Sequence, residues 1–323
     1  MNGFIEFYAH VALNRDFLGN NMDFLTFDNV SFTYPLQGDE IETDENGKPI
    51  LPSPVFDYFT ASLPGGFTSL IGPNASGKST FMLLAGGRVK PQQGKVLLFG
   101  KDIAAFDEAS RSRLASFIYQ NMEFEQDAPV KSLLEQVQTA GATDAAGTEN
   151  AAQNASGNSA QPALSDVISV FELEKILDRK LNGISKGEMQ RVLMAFAVLY
   201  GSKSIFMDEP MFAMEDAQKH KAMEYLRDYS IKNKIPIFIA MHELDLSRKY
   251  AENVLLFYPN RDIDFGTPDE VLTNEALEKA YGVPVALLRE TEALNRKSLN
   301  EAADAVAATN EAIAKAQAKV QKK

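Results

Sequence analysis

"GPNASGKST", residues Gly72 to Thr80, satisfies the pattern G-x-x-x-x-G-K-[ST] and lies between the apolar run "FTSLI" and the helical "TFMLLAGG". Strand, glycine-bearing loop and helix in that order gather successive backbone N–H groups and a helix N-terminus around one point, which is how a chain cradles phosphate. Gly72, Pro73, Asn74, Ala75, Ser76, Gly77, Lys78, Ser79 and Thr80 are therefore the candidate phosphate-binding residues. Lys78 brings a point charge to the β- and γ-phosphates, and the Ser79 hydroxyl is a candidate Mg²⁺ ligand. With glycine at about 7% of ordinary usage, a chance match in a chain of this length is roughly a one-in-a-hundred event.

Such a loop needs a second strand that delivers an acid to the Mg²⁺, and "KSIFMDEPMFAMED", Lys203 to Asp216, supplies one. Its apolar run drives into Asp208, the candidate metal-side carboxylate. Glu209 follows one residue later and is placed to polarise a water for in-line attack on the γ-phosphate, the role of a general base. Around these two strands, "KVLLFG" and "IPIFIAM" read as further short buried strands separated by helical segments, which is α/β organisation.

Composition narrows the field. The 323 residues carry 32 basic and 44 acidic side chains, a formal charge of −12, the wrong sign for bulk electrostatic binding to nucleic acid. The absence of cysteine removes disulfides, thiolate metal sites and thiol catalysis, and suits a reducing compartment. The longest strongly apolar run, Val192 to Tyr200, is about half the roughly 20 residues needed to cross a bilayer. Residues 1–22 read as an N-terminal extension without the basic start of a secretory signal. Asp23 to Tyr34 alternates as a half-buried strand, and an acidic hairpin tip is expected over Asp39 to Gly47. Thr139 to Pro162 lacks large apolar residues and is expected to be a disordered surface loop. From Glu290 the chain is Ala-rich, with Leu299, Val306, Ile313 and Val320 at seven-residue intervals, the pattern of a helical tail.

The residues between the two acid- and phosphate-bearing motifs carry a family resemblance. "ISKGEMQRVLMAFAVL", Ile184 to Leu199, resembles the L-S-G-G-Q signature and following helix of ATP-binding cassette (ABC) ATPases, with Ser185 lying 23 residues before Asp208. Gln120 in "SFIYQNMEF" is similar to the family's Q-loop, His242 in "IFIAMHELD" to its switch histidine, and Tyr34 in "FTYP" to the aromatic residue that stacks on adenine. The resemblance spans roughly Phe24 to Val283. It implies ATP and Mg²⁺ as ligands, with Gln120 joining Ser79 and Asp208 at the metal and Glu209, His242 and Gln120 forming the catalytic group. It implies that Ser185 and Gly187 act across a dimer, closing on nucleotide held by the second protomer, whether identical or different. The fold it implies is a P-loop NTPase core with a mainly parallel sheet, an antiparallel β subdomain, an inserted helical subdomain at about 127–182 and a helical C-terminal extension. The cassette would occupy 23–284 and the tail 285–323.

The chain departs from the family's pattern in places. The usual D-E-P-T-S-x-L-D reads "DEPMFAME", so Met211 and Phe212 replace small polar residues and Glu215 stands at the D-loop Asp. Lys186 and Glu188 replace the Gly and Gln of the signature, and Ala75 replaces a common loop Gly, a strained choice if its φ is positive. Two uses of the motor follow from the resemblance: the energising subunit of a separate integral membrane permease, or a soluble mechanical ATPase acting on ribosomes or DNA. A single cassette and the charge of −12 favour transport with no nucleic-acid partner. "FGTPDEVLTNEALEKAYGVPV", Phe265 to Val285, is similar to the closing segment of importer ATPases for metal chelates, siderophores and cobalamin, which implies solute import, a solute-binding protein and a cytoplasmic location at the inner face of the membrane. Exporter and lipid-trafficking ATPases share the same motor.

Overall fold

The structure, a computed structural model, describes residues 23–35, 53–120, 122, 128–146 and 161–288. The N-terminal extension, the acidic hairpin tip and the Ala-rich tail from 289 lie outside the described residues.

Two sheets share one aromatic core. The first, ordered β2-β1-β4-β5, is antiparallel and consists of β1 (Leu25–Phe32), β2 (Phe56–Leu63), β4 (Gln93–Leu98) and β5 (Lys101–Asp102). Alternation in "LTFDNVSF" turns Leu25, Phe27, Val30 and Phe32 inward, the pattern of a sheet with one buried face. The second sheet runs β10-β9-β3-β8-β7-β6, with β3 (Phe67–Ile71), β6 (Ser116–Ile118), β7 (Ile205–Asp208), β8 (Ile237–Ala240) and β9 (Asn253–Phe257) parallel and β10 (Ile263–Gly266) antiparallel at the edge. Every residue of β3, β7 and β8 is buried, which is why these segments read as unbroken apolar runs. "KVLLFG", which reads like them, joins the antiparallel sheet, because β4 pairs with β1 from Leu25↔Leu98 to Asp28↔Lys95.

Helix α1 (Lys78–Ala85) enters this core directly from the phosphate loop. Its Phe81 stacks on Phe27 of the antiparallel sheet, with centroids 4.7 Å apart, and meets Phe257 of the parallel sheet edge-on at 5.7 Å. One ring thus ties the loop-bearing helix to both sheets, and such pairs contribute about 0.5–1.5 kcal/mol beyond area burial. Helix α2 (Glu108–Leu114), capped by Asp107, leads into β6.

Helix α3 (Val130–Ala146) overturns part of the expected loop, since it continues to Ala146 through residues read as unstructured from Thr139. The small side chains that argued for disorder instead permit close packing. A Cβ on Gly141 would lie 2.0 Å from the Tyr200 carbonyl oxygen at the end of α5 (Lys186–Tyr200). Gln161 closes the far side, donating to the Leu199 carbonyl at 3.0 Å. Residues 147–160 lie outside the described residues. Helix α4 (Leu164–Val170) is pinned to α5 by buried Arg191, which donates to the Phe171 and Glu172 carbonyls at 2.9 and 2.7 Å.

Helix α6 (Asp216–Asn233) ends in a left-handed Lys234, α7 (Leu244–Tyr250) follows β8, and α8 (Pro268–Val271) starts with a Thr267–Glu270 capping box. The chain divides into two units at Thr273/Asn274. In the second, α9 (Asn274–Tyr281) is followed by a left-handed Gly282, and Glu278 accepts from the Val285 amide at 3.2 Å.

Candidate nucleotide site

Strand register decides where the motifs meet. Asp208 pairs with Ala240, and Ala240 pairs with Leu70, so the ends of β7, β8 and β3 lie side by side. The loop after Ile71, the acids at 208–209 and His242 therefore emerge together at the carboxyl edge of the parallel sheet, where open α/β sheets bind ligands.

The phosphate loop leaves β3 through Gly72 at φ 149°, where a Cβ would strike the Phe257 carbonyl oxygen at 2.6 Å. Gly77, the N-cap of α1 at φ 109°, has no side chain to cap the helix, so the first amides of α1 have no side-chain acceptor there. Ala75 adopts φ 60°, the left-handed conformation that costs an L-residue roughly 1–2 kcal/mol. The condition for strain at this departure is met. Lys78 is 6% exposed and folds back to donate to the Gly72 and Pro73 carbonyls at 2.7 and 2.9 Å. Burial lowers its pKa, against the pull of the Glu209 and Asp208 carboxylates. Beside it, buried Ser76 Oγ has no hydrogen-bond partner among the described residues, a group that ligand oxygen atoms would satisfy.

Asp208 closes β7 at 9% exposure, and desolvation raises its pKa although the Ser79 hydroxyl donates to it. Glu209 turns away from it through a left-handed φ of 49°, so adjacent acids face different environments. Its Oε1 meets His242 Nε2 at 2.9 Å and its Oε2 accepts from Gln120 Nε2 at 2.6 Å. The hydrogen bond to His242 is the main reason its pKa falls, so it is held as the carboxylate that general-base chemistry requires. Tyr34 stands at the mouth, 42% exposed, edge-on to Phe32, with its hydroxyl 3.1 Å from Thr80 Oγ1. Tyr34, Thr80, Ser79, Asp208, Lys78, Glu209, Gln120 and His242 thus form one linked group, with Asn74 exposed on the loop.

Ser185 and Gly187 lie in a second group. Ser185 caps α5 in a reciprocal box with Glu188, whose carboxylate accepts from the Ser185 amide at 2.7 Å and pairs with Arg179 at 3.2 Å. Glu188, a departure from the signature, therefore has a local structural role. The turn after Glu209 reaches this group in the same chain: Met211 and Met214 are buried at 1% and 5%, Phe212 is 49% exposed, and left-handed Ala213 presents its carbonyl to Gly187. A Cβ on Gly187 would sit 2.2 Å from that oxygen.

Sequence reasoning missed Arg261, whose Nη1 donates to the Ala75 carbonyl at 2.5 Å. Its only signal was a basic residue in the turn between two short strands. Among the described residues no cluster of three or more His, Cys, Asp or Glu builds a metal cage. Ser79 with Asp208 suits Mg²⁺ instead, which takes one or two protein oxygens together with substrate phosphates.

Residues 61–212 match the family model described as ABC transporter. The chain is 28% identical over 235 residues to the cobalamin import ATP-binding protein of Halobacterium salinarum, covering 72% of this chain and 56% of that protein, so it spans little more than half of that relative. It is 25% identical to the petrobactin import ATP-binding protein of Bacillus anthracis, over 71% of this chain and 81% of the relative. In fold it matches the dimeric structure of a post-hydrolysis ATP-binding cassette bound to ADP and phosphate, with TM-score 0.59, 21% identity and coverage of 76% of this chain and 98% of that one.

Proposed function

We propose that this chain is a nucleotide-binding subunit of the ABC transporter family that hydrolyses ATP to power a separate membrane permease, in the direction of solute import. We assign the cassette to 23–284. The observation that carries the reading is the convergence of Lys78, Asp208, Glu209 and His242 at one edge of the sheet.

In this mechanism Lys78 exchanges the carbonyls of Gly72 and Pro73 for phosphate oxygens, while Tyr34 receives the adenine. Ser79, Asp208 and Gln120 would hold Mg²⁺, which supplies charge neutralisation on the phosphates when bound. Glu209 takes a proton from a water aligned on the γ-phosphorus. The water oxygen bonds to phosphorus as the bond to the β-phosphate bridging oxygen breaks, leaving ADP and inorganic phosphate. Both Glu209 oxygens are engaged in this structure, so a water reaches the base as Gln120 or His242 yields. Ser185 and Gly187 would close on nucleotide bound to a second protomer.

No helix among the described residues is long and apolar enough to cross a membrane; in this reading the motion of closure passes to the separate permease. In this reading the groove lined by Phe117, Met122, Val137, Leu193 and Tyr200, just before Gln120, receives a permease segment. The names of the two relatives, both import ATP-binding proteins, support import; this reading places the chain at the inner face of the membrane and a solute-binding protein on the far side.

The test is affinity capture of Glu209→Gln protein with ATP from detergent-solubilised native membranes. A co-purifying multi-spanning permease supports the reading. Recovery of ribosomal or DNA-processing factors alone would overturn it in favour of a soluble mechanical ATPase.

A further inference from the structure

Arg261 sits in the turn between β9 and β10, outside every motif that identified the site. Its guanidinium nevertheless reaches the phosphate loop. Nη1 donates to the Ala75 carbonyl at 2.5 Å, and a Cβ built on Gly77 would lie 3.9 Å from the same nitrogen. The strand that leads into this turn also backs the loop's first residue, since Phe257 blocks any side chain at Gly72. One hairpin therefore buttresses the loop at its start and its middle.

Both ends of the Arg261–Ala75 bond are conformationally unfavourable. Ala75 has φ 60° and Arg261 has φ 76°, in a region where glycine is the default. The Arg261 amide donates to the Tyr258 carbonyl at 3.0 Å, so Arg261 occupies the left-handed position that closes a hairpin turn, a place where glycine is preferred. The surrounding turn is rigid enough to hold it there. The Tyr258 amide donates to the Asp262 carbonyl at 3.0 Å, the Tyr258 hydroxyl donates to Asp264 at 2.5 Å, and the Asn260 side-chain amide donates to the Asp262 carboxylate at 2.6 Å. Strained backbone that persists only because its surroundings determine it points to a function for the side chain it carries.

We propose that Arg261 is a positioning residue for nucleotide binding: its guanidinium holds the Ala75 carbonyl outward and so keeps the phosphate loop in the left-handed conformation that an alanine would otherwise leave. The anion-binding nest depends on the peptide orientations around Ala75, because rotating that residue out of the left-handed region turns a neighbouring N–H away from the phosphates. Glycine at this position would hold the conformation without help. Alanine at 75 and arginine at 261 are thus a coupled pair, and the inference rests on the ATP-binding reading above.

A double-mutant cycle tests it, with the dissociation constant of a fluorescent ATP analogue and Mg²⁺ measured for full-length wild type, R261Q, A75G and A75G/R261Q, and unfolding temperatures recorded for all four. R261Q should weaken binding about fivefold or more in the wild-type background and less than about twofold in the A75G background, a coupling ordinary for residues in contact. In steady state R261Q should raise KM with little change in kcat, the mark of lost nucleotide positioning. Equal weakening in both backgrounds, or none in either, would overturn the proposal while leaving ATP binding by the wild type intact. A wild type that binds no nucleotide defeats the functional reading itself, and the two failures are told apart by that one protein.

Discussion

Replacing Gly187 by alanine probes the contact between the helix α5 N-terminus and the turn that follows Glu209, the proposed catalytic base. In open space the change would favour the helix, by up to about 1 kcal/mol. Here the new Cβ would lie 2.2 Å from the Ala213 oxygen and 3.1 Å from its carbonyl carbon, so one backbone must retreat by about an ångström. Ala213 has little room, being left-handed and set between buried Met211 and Met214, with the Met214 amide bonded to the Met211 carbonyl at 3.3 Å. Overpacking of this kind costs about 1–3 kcal/mol, so a net loss of about 1–2 kcal/mol is expected. For a domain of this size that lowers Tm by about 2–6 °C. Differential scanning calorimetry of the nucleotide-free protein measures it, with Gly183→Ala as control, because nothing lies within 4 Å of a Cβ there. The control should stay within about 1 °C. A Gly187→Ala protein as stable as the wild type or more so would refute the contact.

Three other outcomes follow from the structure, two at the site and one at the ion pair between Lys219 of α6 and Glu243 before α7. Glu209→Gln should lower kcat for phosphate release by about a hundredfold to ten-thousandfold while ATP binding persists, read by single-turnover hydrolysis and equilibrium binding; similar turnover by both proteins would remove Glu209 from the mechanism. Asp208 has a folded pKa above its ordinary 3.8, so its contribution to stability is complete below that value and lost as pH rises through the folded one. At neutral pH Asp208→Asn should therefore raise Tm without nucleotide and abolish Mg²⁺-dependent turnover, and a lowered Tm would contradict the desolvation argument. Glu243→Gln leaves Lys219, its side chain 6% exposed and now 2.6 Å from Glu243, as an unpaired buried charge; urea denaturation should show a loss of about 3 kcal/mol, and an unchanged midpoint would mean that Lys219 finds another acceptor.

Much of the site was legible because its chemistry is written in short, local patterns. "GPNASGKST" between a strand and a helix specifies its own geometry, and an apolar run ending in Asp208 specifies a strand that ends in a carboxylate. What joins them is long-range: the pairing of Asp208 with Ala240 and of Ala240 with Leu70 is a property of the sheet. Periodicity told "KVLLFG" to be a strand but not which sheet would take it, since β4 is half exposed and pairs with the distant β1. The loop expected from Thr139 failed over 139–146 for a different reason. Lack of large apolar side chains was read as inability to bury surface, whereas Gly141 buries backbone against backbone at Tyr200. Arg261 escaped notice because its meaning depends on the backbone angle of a residue 186 positions away.

The central claim is that this site hydrolyses ATP through Glu209. Phosphate release from ATP and Mg²⁺ by the purified full-length chain tests it most directly, with Glu209→Gln and Mg²⁺-free samples alongside. Slow Mg²⁺-dependent release by the wild type, nearly abolished in both comparisons, is the predicted result. Release that is absent from wild type, or that continues unchanged in Glu209→Gln, would contradict the account.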